Sequence, residues 1–412
     1  MKNILYLFLM LISISSSAQI KILFDATKAE MAGNADWVLD ADTHNLGFSG
    51  GPAVAGSGSE SNAQRIPTPI QSTITASTPE TYWDGALSNW GIDCVKQGYT
   101  VESLPYNGQI TYGISSNLQD LSNYKVFVID EPNILFTASE KAAIVNFVKN
   151  GGGLCMISDH TISDRNNDGV DSPDVLNDLM STNSVQNNPF GIAFDYANIS
   201  QTSTNIANLP TNPILHGTAG NVTAVQWSNG TTITLNKAQN SSATGLIYAT
   251  GFATTGISNV MCASAAFQTG KVVAICDSSI PDDGTGDSGD TLYNGYTLDA
   301  SGNHQKLLMN AIIWLATSSS LGVENVSLPD IDFTITPNPI QNHELKFNFA
   351  PSDTEPLMVS VFDILGKTIK TVSLPNNGTY FHSILVNELK AGVYICTVYN
   401  SKQSKSLRFI IQ

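Results

Sequence analysis

Apolar positions are grouped along this chain in two ways. Up to about residue 318 they form short continuous runs: ILF within 20–25, VFVI within 124–130, LCMI within 154–158 and VVAI within 271–277. A run without polar alternation suits a strand covered on both faces, as in a parallel sheet flanked by helices. Helical patterns separate the runs. Residues 79–98 read as a helix, with Pro79 at an early position and Gly98 as a stop. Thr137-Ala-Ser-Glu140 is a capping box ahead of KAAIVNFVKN, and Gly151–Gly153 ends that helix. Residues 174–180 and His304–Ala316 add two more. TVESLP is a further candidate strand, and TAVQWS, TTITLN and GLIYAT are short β-like pieces in the Asn/Thr/Ser-rich stretch 181–262. Strand alternating with helix predicts βαβ units and an α/β fold with a mostly parallel sheet. From Ile331 onward the pattern becomes strict alternation broken by regular turns, which predicts an all-β sandwich. The expected organisation is a leader at 1–18, an α/β domain at 19–318, a linker at 319–330 and a sandwich at 331–412.

Composition sets the address. Lys2, the apolar run 4–14 and the small residues Ser16-Ser17-Ala18 have the parts of a secretory signal peptide. The run is shorter than the roughly 18 residues a membrane span needs, and no later segment is a candidate. Of the 412 residues only 13% are charged, and 19 basic against 35 acidic groups give a net charge of −16. Such a balance excludes nucleic acid as an electrostatic partner, because phosphate binding needs Lys and Arg. It suits an extracellular protein and the collection of divalent cations. The five cysteines, Cys94, Cys155, Cys262, Cys276 and Cys396, are widely spaced and read as buried thiols, with one disulfide left open.

Chemistry gathers at the ends of the apolar runs. Asp25, Asp130-Glu131, Asp159-His160 and Asp277-Ser278 each follow one. In open α/β sheets, ligands bind beyond the carboxyl ends of the strands. Asp159, His160 and Asp277 are therefore the candidate catalytic residues: an imidazole for proton transfer and two carboxylates to orient it or act as a pair. Asp25, Glu30 and Ser278 are candidate substrate contacts; no G-x-S-x-G elbow surrounds Ser278. Two oxygen-rich loops are candidate calcium sites. Asp164-Arg-Asn166-Asn-Asp168-Gly169 has the alternating oxygens and the turn glycine of a calcium loop, with Asp171 and Asp174 beyond it. Val175 stands where the closing Glu of a complete EF-hand belongs. Asp282, Asp283, Asp287 and Asp290 form the second loop. His44, His216 and His304 are further histidines of this domain, and Trp37, Trp83, Trp90 and Trp227 are expected mainly in the core.

The junction V-K-N-G-G-G-L-C-M-I-S-D-H, the run G-K-V-V-A-I-C-D-S-S and the helix H-Q-K-L-L-M-N-A-I-I-W-L-A resemble the class I glutamine amidotransferase-like superfamily over roughly residues 20–318. The resemblance implies a flavodoxin-like sheet. Catalytic members carry a nucleophilic Cys after the glycine-led strand; here Asp159-His160 stands in that slot and Cys155 lies mid-strand, so Cys-dependent amidotransferase or peptidase activity is not expected. The tail closely resembles the C-terminal sorting domain of type IX secretion substrates through Pro337-Asn338-Pro339, Asp363-Ile-Leu-Gly366-Lys367, Leu389-Lys-Ala-Gly392-Val-Tyr394 and the final Leu407–Gln412. It implies the type IX secretion machinery as partner, a secreted or outer-membrane surface location, and sorting roles for His343 and His382. The expected function is that of a secreted, calcium-binding α/β protein acting as a metal-assisted extracellular hydrolase on polysaccharide or other glycans or their substituents; the alternative is a non-catalytic binding or cell-surface module that keeps the fold and its calcium loops for structure.

Overall fold

A computed structural model describes residues 19–32, 35–41, 63–285, 294–299, 302–317, 333–348, 356–364, 366–374, 381–399 and 404–412. The leader, the linker, His44, Asp287 and Asp290 lie outside them. The chain divides into two compact units, Met1–Ser319 and Ser320–Gln412. Among the described residues no helix is long and apolar enough to cross a membrane.

The first unit is built on a nine-stranded sheet. Its strands are β1 (Lys21–Asp25), β2 (Thr100–Leu104), β3 (Val126–Asp130), β4 (Gly153–Ile157), β5 (Ile192–Phe194), β6 (Ile233–Leu235), β7 (Thr244–Tyr248), β8 (Val260–Phe267) and β9 (Gly270–Ile275). The order is β2-β1-β3-β4-β9-β8-β6-β5, with β7 also on β8. The run β2-β1-β3-β4-β9 is parallel throughout. Taken in chain order these five strands lie 2-1-3-4-5, the flavodoxin-like arrangement. The remaining strands are antiparallel extensions at the β9 side. The continuous apolar runs are the central strands: every residue of β3 and of β4 is buried.

Among the described residues four α-helices accompany the sheet: α1 (Ser88–Lys96), α2 (Ala138–Lys149), α3 (Ser172–Ser181) and α4 (His304–Ala316). The capping box of α2 forms as read: Thr137 accepts from the Glu140 amide, and Glu140 Oε2 accepts from the Thr137 amide at 2.8 Å. Gly151 stops the helix at φ +103°, a conformation that costs other residues dearly. Gly153 then lets α4 press onto β4, since a Cβ there would meet Leu315 atoms at 2.8 Å. The 79–98 helix is shorter than the pattern suggests. Residues 80–82 form one 3₁₀ turn, and Trp83 is extended before α1 begins. At Gly85 the chain passes so close to Val38 that a Cβ would sit 2.2 Å from its carbonyl oxygen. Trp37, Trp83, Trp90 and Trp227 are all in the core.

The second unit holds a three-stranded sheet (Thr334–Ile335, Glu344–Asn348, Phe381–Leu385) and a four-stranded sheet (Leu357–Asp363, Thr368–Leu374, Gly392–Tyr399, Ser404–Ile411), with antiparallel pairing inside each. It has its own core, including Leu345, Phe347, Val359, Val361, Val398 and Phe409. The all-β tail expected from its alternation is what forms.

Candidate active site at the carboxyl ends of the parallel strands

Asp25 closes β1 and Asp130 closes β3, while Asp159 and Asp277 stand two residues beyond β4 and β9. Sheet geometry thus delivers four acids to one edge. Glu131, the residue after β3, organises most of them. It is fully buried and has φ +45°, a left-handed conformation that costs a non-glycine residue roughly 1–2 kcal/mol. Its Oε2 accepts from Trp37 Nε1 at 2.8 Å and from Ser278 Oγ at 2.6 Å. Its Oε1 accepts from Arg165 Nε at 2.7 Å. The same guanidinium donates through Nη2 to Asp159 Oδ2 at 2.6 Å. Arg165 therefore ties the ends of β3 and β4 together. Two bonds hold this constellation to the rest of the fold: the Asp159 amide donates to Ser172 Oγ at the start of α3 (2.8 Å), and the Arg165 amide donates to Asn133 Oδ1 (3.2 Å).

The electrostatics are one-sided. Asp159 is pushed well above the usual carboxylate range by burial and by the neighbouring charges of Glu131 and Asp277, which outweigh Arg165. Burial raises Asp277 to about 7, although its oxygens accept the Ser228 amide at 2.5 Å and the Ser279 amide at 2.8 Å. Asp130 is also raised, by burial first and then by Glu131, Asp277 and Asp282, and neither of its oxygens has a hydrogen-bond partner. For a buried acid without partners among other acids, the protonated form is favoured. Asp159 Oδ1 is likewise without a hydrogen-bond partner among the described residues.

His160 and Arg165 reach solvent from this group, with side chains 14% and 26% exposed. The His160 Nδ1 faces the Thr161 carbonyl oxygen at 2.6 Å. Only a protonated nitrogen can make that contact, so in the neutral ring the lone pair is on Nε2. Nε2 lies 3.6 Å from Asp159 Oδ2, beyond a direct hydrogen bond and within reach of a bridging water.

The structure thus gathers Asp159, His160 and Ser278 into one network around Glu131 and Arg165, with Asp277 coupled to Asp159 and Glu131 by charge and hydrogen-bonded instead to the Ser228 and Ser279 amides. Asp25 and Glu30 belong to an adjoining one. Asp25 Oδ1 accepts from Thr27, Glu30 Oε2 accepts the Lys28 amide at 2.7 Å, and Lys28 Nζ donates to both oxygens of Glu140 at 2.9 Å. Asp25 is raised to about 6 by burial, with Lys28 opposing.

The two oxygen-rich loops use their carboxylates on backbone amides. Asp164 accepts from Asp168 and Gly169, Asp168 from Val170, and Asp171 caps α3 while also accepting from Ile162. The Asn166 side-chain Nδ2 donates to the Asn133 backbone carbonyl and to Asp168 Oδ2. Asp282 accepts from Gly284; Asp283 accepts from Thr285 and from the Asn89 amide in the first turn of α1. Among the described residues no three His, Cys, Asp or Glu side chains converge as metal ligands. His304 is buried between the Gly295 and Gln226 carbonyls, 2.8 Å from each, and burial lowers its pKa; it is structural. His216 is exposed beside Asn221. All five thiols are free and buried, and Cys155 is raised well above its ordinary value by burial.

Sequence reasoning passed over two members of the cluster. Arg165 looked like a spacer in D-R-N-N-D-G, and Glu131 looked like one acid of a pair. The available signal was scarcity: an Arg set in an acidic loop after an acid-ended strand is a natural counter-ion. The left-handed backbone of Glu131 has no sequence signature.

No curated protein matches the sequence. Among solved structures, the "mmIFT52 N-terminal domain" shares 14% identity at a TM-score of 0.41, covering 72% of this chain and 98% of that one. A putative ThuA-like protein from Parabacteroides merdae shares 10% at 0.36, covering 73% and 90%. The exo-beta-1,4-mannosidase Op5Man5 from an Opitutaceae bacterium shares 9% at 0.33, covering 74% and 36%. Likeness at this level says nothing of activity. The tail is different, because residues 334–412 match the family model of the secretion system C-terminal sorting domain. With that type IX sorting tail, the protein is one destined for secretion or for the outer-membrane surface.

Proposed function

We propose that the α/β unit is an extracellular hydrolase that uses Asp159 and His160 as its proton-transfer pair and acts on glycans or their ester substituents. The observation that carries this reading is the His160 ring, fixed by the Thr161 carbonyl with its Nε2 lone pair turned toward a carboxyl group of raised pKa. In the reaction, Nε2 takes a proton from the attacking water as the new bond to oxygen forms, and the proton returns to the leaving oxygen as the old bond breaks. Asp159 stabilises the imidazolium that forms between the two steps. Glu131, Ser278 and Arg165 hold Asp159 in place. Asp277 shapes the neighbouring loop through its two amide bonds. Calcium belongs to this reading only as an ion at the 164–169 loop, sharing Asp164 and Asp168 with the amides they now accept.

A second reading, a non-catalytic binding module, is favoured by one observation: Asp277, Ser278, Asp282 and Asp283 are all buried and engaged within the protein. One experiment separates the two. The full chain is screened against neutral glycans, acetylated glycans and aryl esters, with and without EDTA, beside His160→Ala and Asp159→Asn. Hydrolysis lost by about 10²–10⁴-fold in His160→Ala supports the first reading. Turnover indifferent to both substitutions, or absent on every substrate, favours the second.

A further inference from the structure

A cavity of about 600 Å³ lies between the loop that follows β2 and the first turns of α2. The loop follows the carboxyl end of β2, and the cavity runs along α2 toward the amino ends of β3 and β4, where Tyr112 also borders Lys125 and Gly151. The volume falls in the range of small-molecule sites. Gln109, Thr111, Tyr112, Ile114, Ser139 and Asn146 line it, and none of them belongs to the His160 cluster.

Three features define what it accepts. First, it has an aromatic wall set in place: the Tyr112 ring meets Phe147 edge-on at 6.3 Å. Ile114, 49% exposed, continues the apolar surface. Second, it has unused polar groups. The Tyr112 hydroxyl and the side-chain amides of Gln109 and Asn146 make no hydrogen bond among the described residues. Third, it is electrically balanced. Glu140, which also borders the cavity, is matched by Lys28 at 2.9 Å from both of its oxygens. Among the described lining residues an anion finds no free cation, and a cation no free carboxylate. A purely apolar ligand would leave the amides unpaired. A ring with one C–H face and a hydroxyl rim satisfies all three.

We infer that this cavity binds neutral carbohydrate, at a subsite separate from His160. The inference goes beyond the hydrolase reading and does not depend on it. It is tested on the full chain by saturation-transfer NMR and calorimetry with neutral gluco-, manno-, galacto- and xylo-hexasaccharides and with a hexauronate. Expected is saturable binding of at least one neutral hexasaccharide and none of the hexauronate. Tyr112→Ala should weaken binding roughly tenfold, through lost stacking and burial, while Tyr112→Phe keeps most of it. Gln109→Ala, at an exposed position that leaves the fold intact, should weaken it several-fold. His160→Ala should bind as the parent does, even if hydrolysis is lost or was never present. Failure of every neutral hexasaccharide to bind, equal binding of the hexauronate, or binding indifferent to both Tyr112→Ala and Gln109→Ala overturns the inference.

Discussion

Replacing Arg165 by alanine removes the guanidinium that Glu131 and Asp159 share at 2.7 and 2.6 Å. Both carboxyl groups are buried, at 0% and 2% exposure, so water cannot readily replace it. Breaking a buried ion pair from one side costs about 3–5 kcal/mol, because the partner charge is left without compensation. Protonation limits the loss. With the cation gone, the folded-state pKa of Asp159, already raised by burial, rises further above its ordinary value. A group whose folded pKa is raised contributes most below its unfolded pKa, and that contribution is lost as pH rises toward the folded value. Arg165→Ala should therefore be destabilised by about 3–5 kcal/mol at pH 7.5 and by clearly less at pH 5. Adding Glu131→Gln should recover part of the loss: a glutamine oxygen at the Oε2 position still accepts from Trp37 and Ser278, and the charge is gone. Urea unfolding followed by tryptophan fluorescence reads this directly, since all five tryptophans precede the tail and report on the α/β unit alone. A loss below about 1 kcal/mol, or one of equal size at both pH values, would refute the argument that Arg165 balances the buried acids.

The unsubstituted protein has its own pH signature. Asp277 at about 7 and Asp25 at about 6, against an ordinary value of 3.8, predict stability falling as pH rises from about 4 to 7, by roughly 4 kcal/mol for Asp277 alone; urea midpoints across that range check it. Asp120 is lowered to about 2 by bonds from Ser122, Thr111, Ile114 and Gly113, so its contribution is present above about pH 4 and disappears only in strong acid. Gly270→Ala would drive a Cβ to 1.8 Å from the Val148 carbonyl oxygen, between the end of α2 and the start of β9; a loss of several kcal/mol is expected, read as a lower thermal midpoint. Cys155 should resist iodoacetamide in the folded state and react only in denaturant, as mass spectrometry of the labelled peptide would show.

How much of this was legible in the sequence depended on the period of the signal. Continuous apolar runs marked four of the five parallel strands, and the T-A-S-E box located α2 within a residue at its start. The antiparallel half was harder. In β8, VMCASAAF, small residues dilute the apolar signal, and only contact with β9 makes the segment a strand. The 79–98 helix was overestimated because its pattern cannot show that Gly85 is needed as a crossing point. The site followed the same logic. Strand ends are set by local pattern, so Asp25, Asp130, Asp159 and Asp277 could be placed at one edge in advance.

Their division of labour could not, because it depends on partners 34 to 147 positions away in the chain: Arg165 on Glu131, and Ser278 on Glu131. The acids of D-R-N-N-D-G show the consequence. By spacing they form a cation loop; in the fold, nearby amides already claim Asp164, Asp168 and Asp171, and the residue between them, Arg165, reaches inward as the counter-charge. The loop carries positive charge to the buried acids by a side chain. A bound ion at its rim and this arginine are thus alternative answers to the same excess of carboxylate. If both answered the same charge, each would lessen the need for the other: calcium at the loop should stabilise Arg165→Ala more than the parent chain, in which the arginine already balances Glu131 and Asp159. Thermal shifts of the two proteins over a calcium titration decide it, and equal shifts would separate the loop from the cluster.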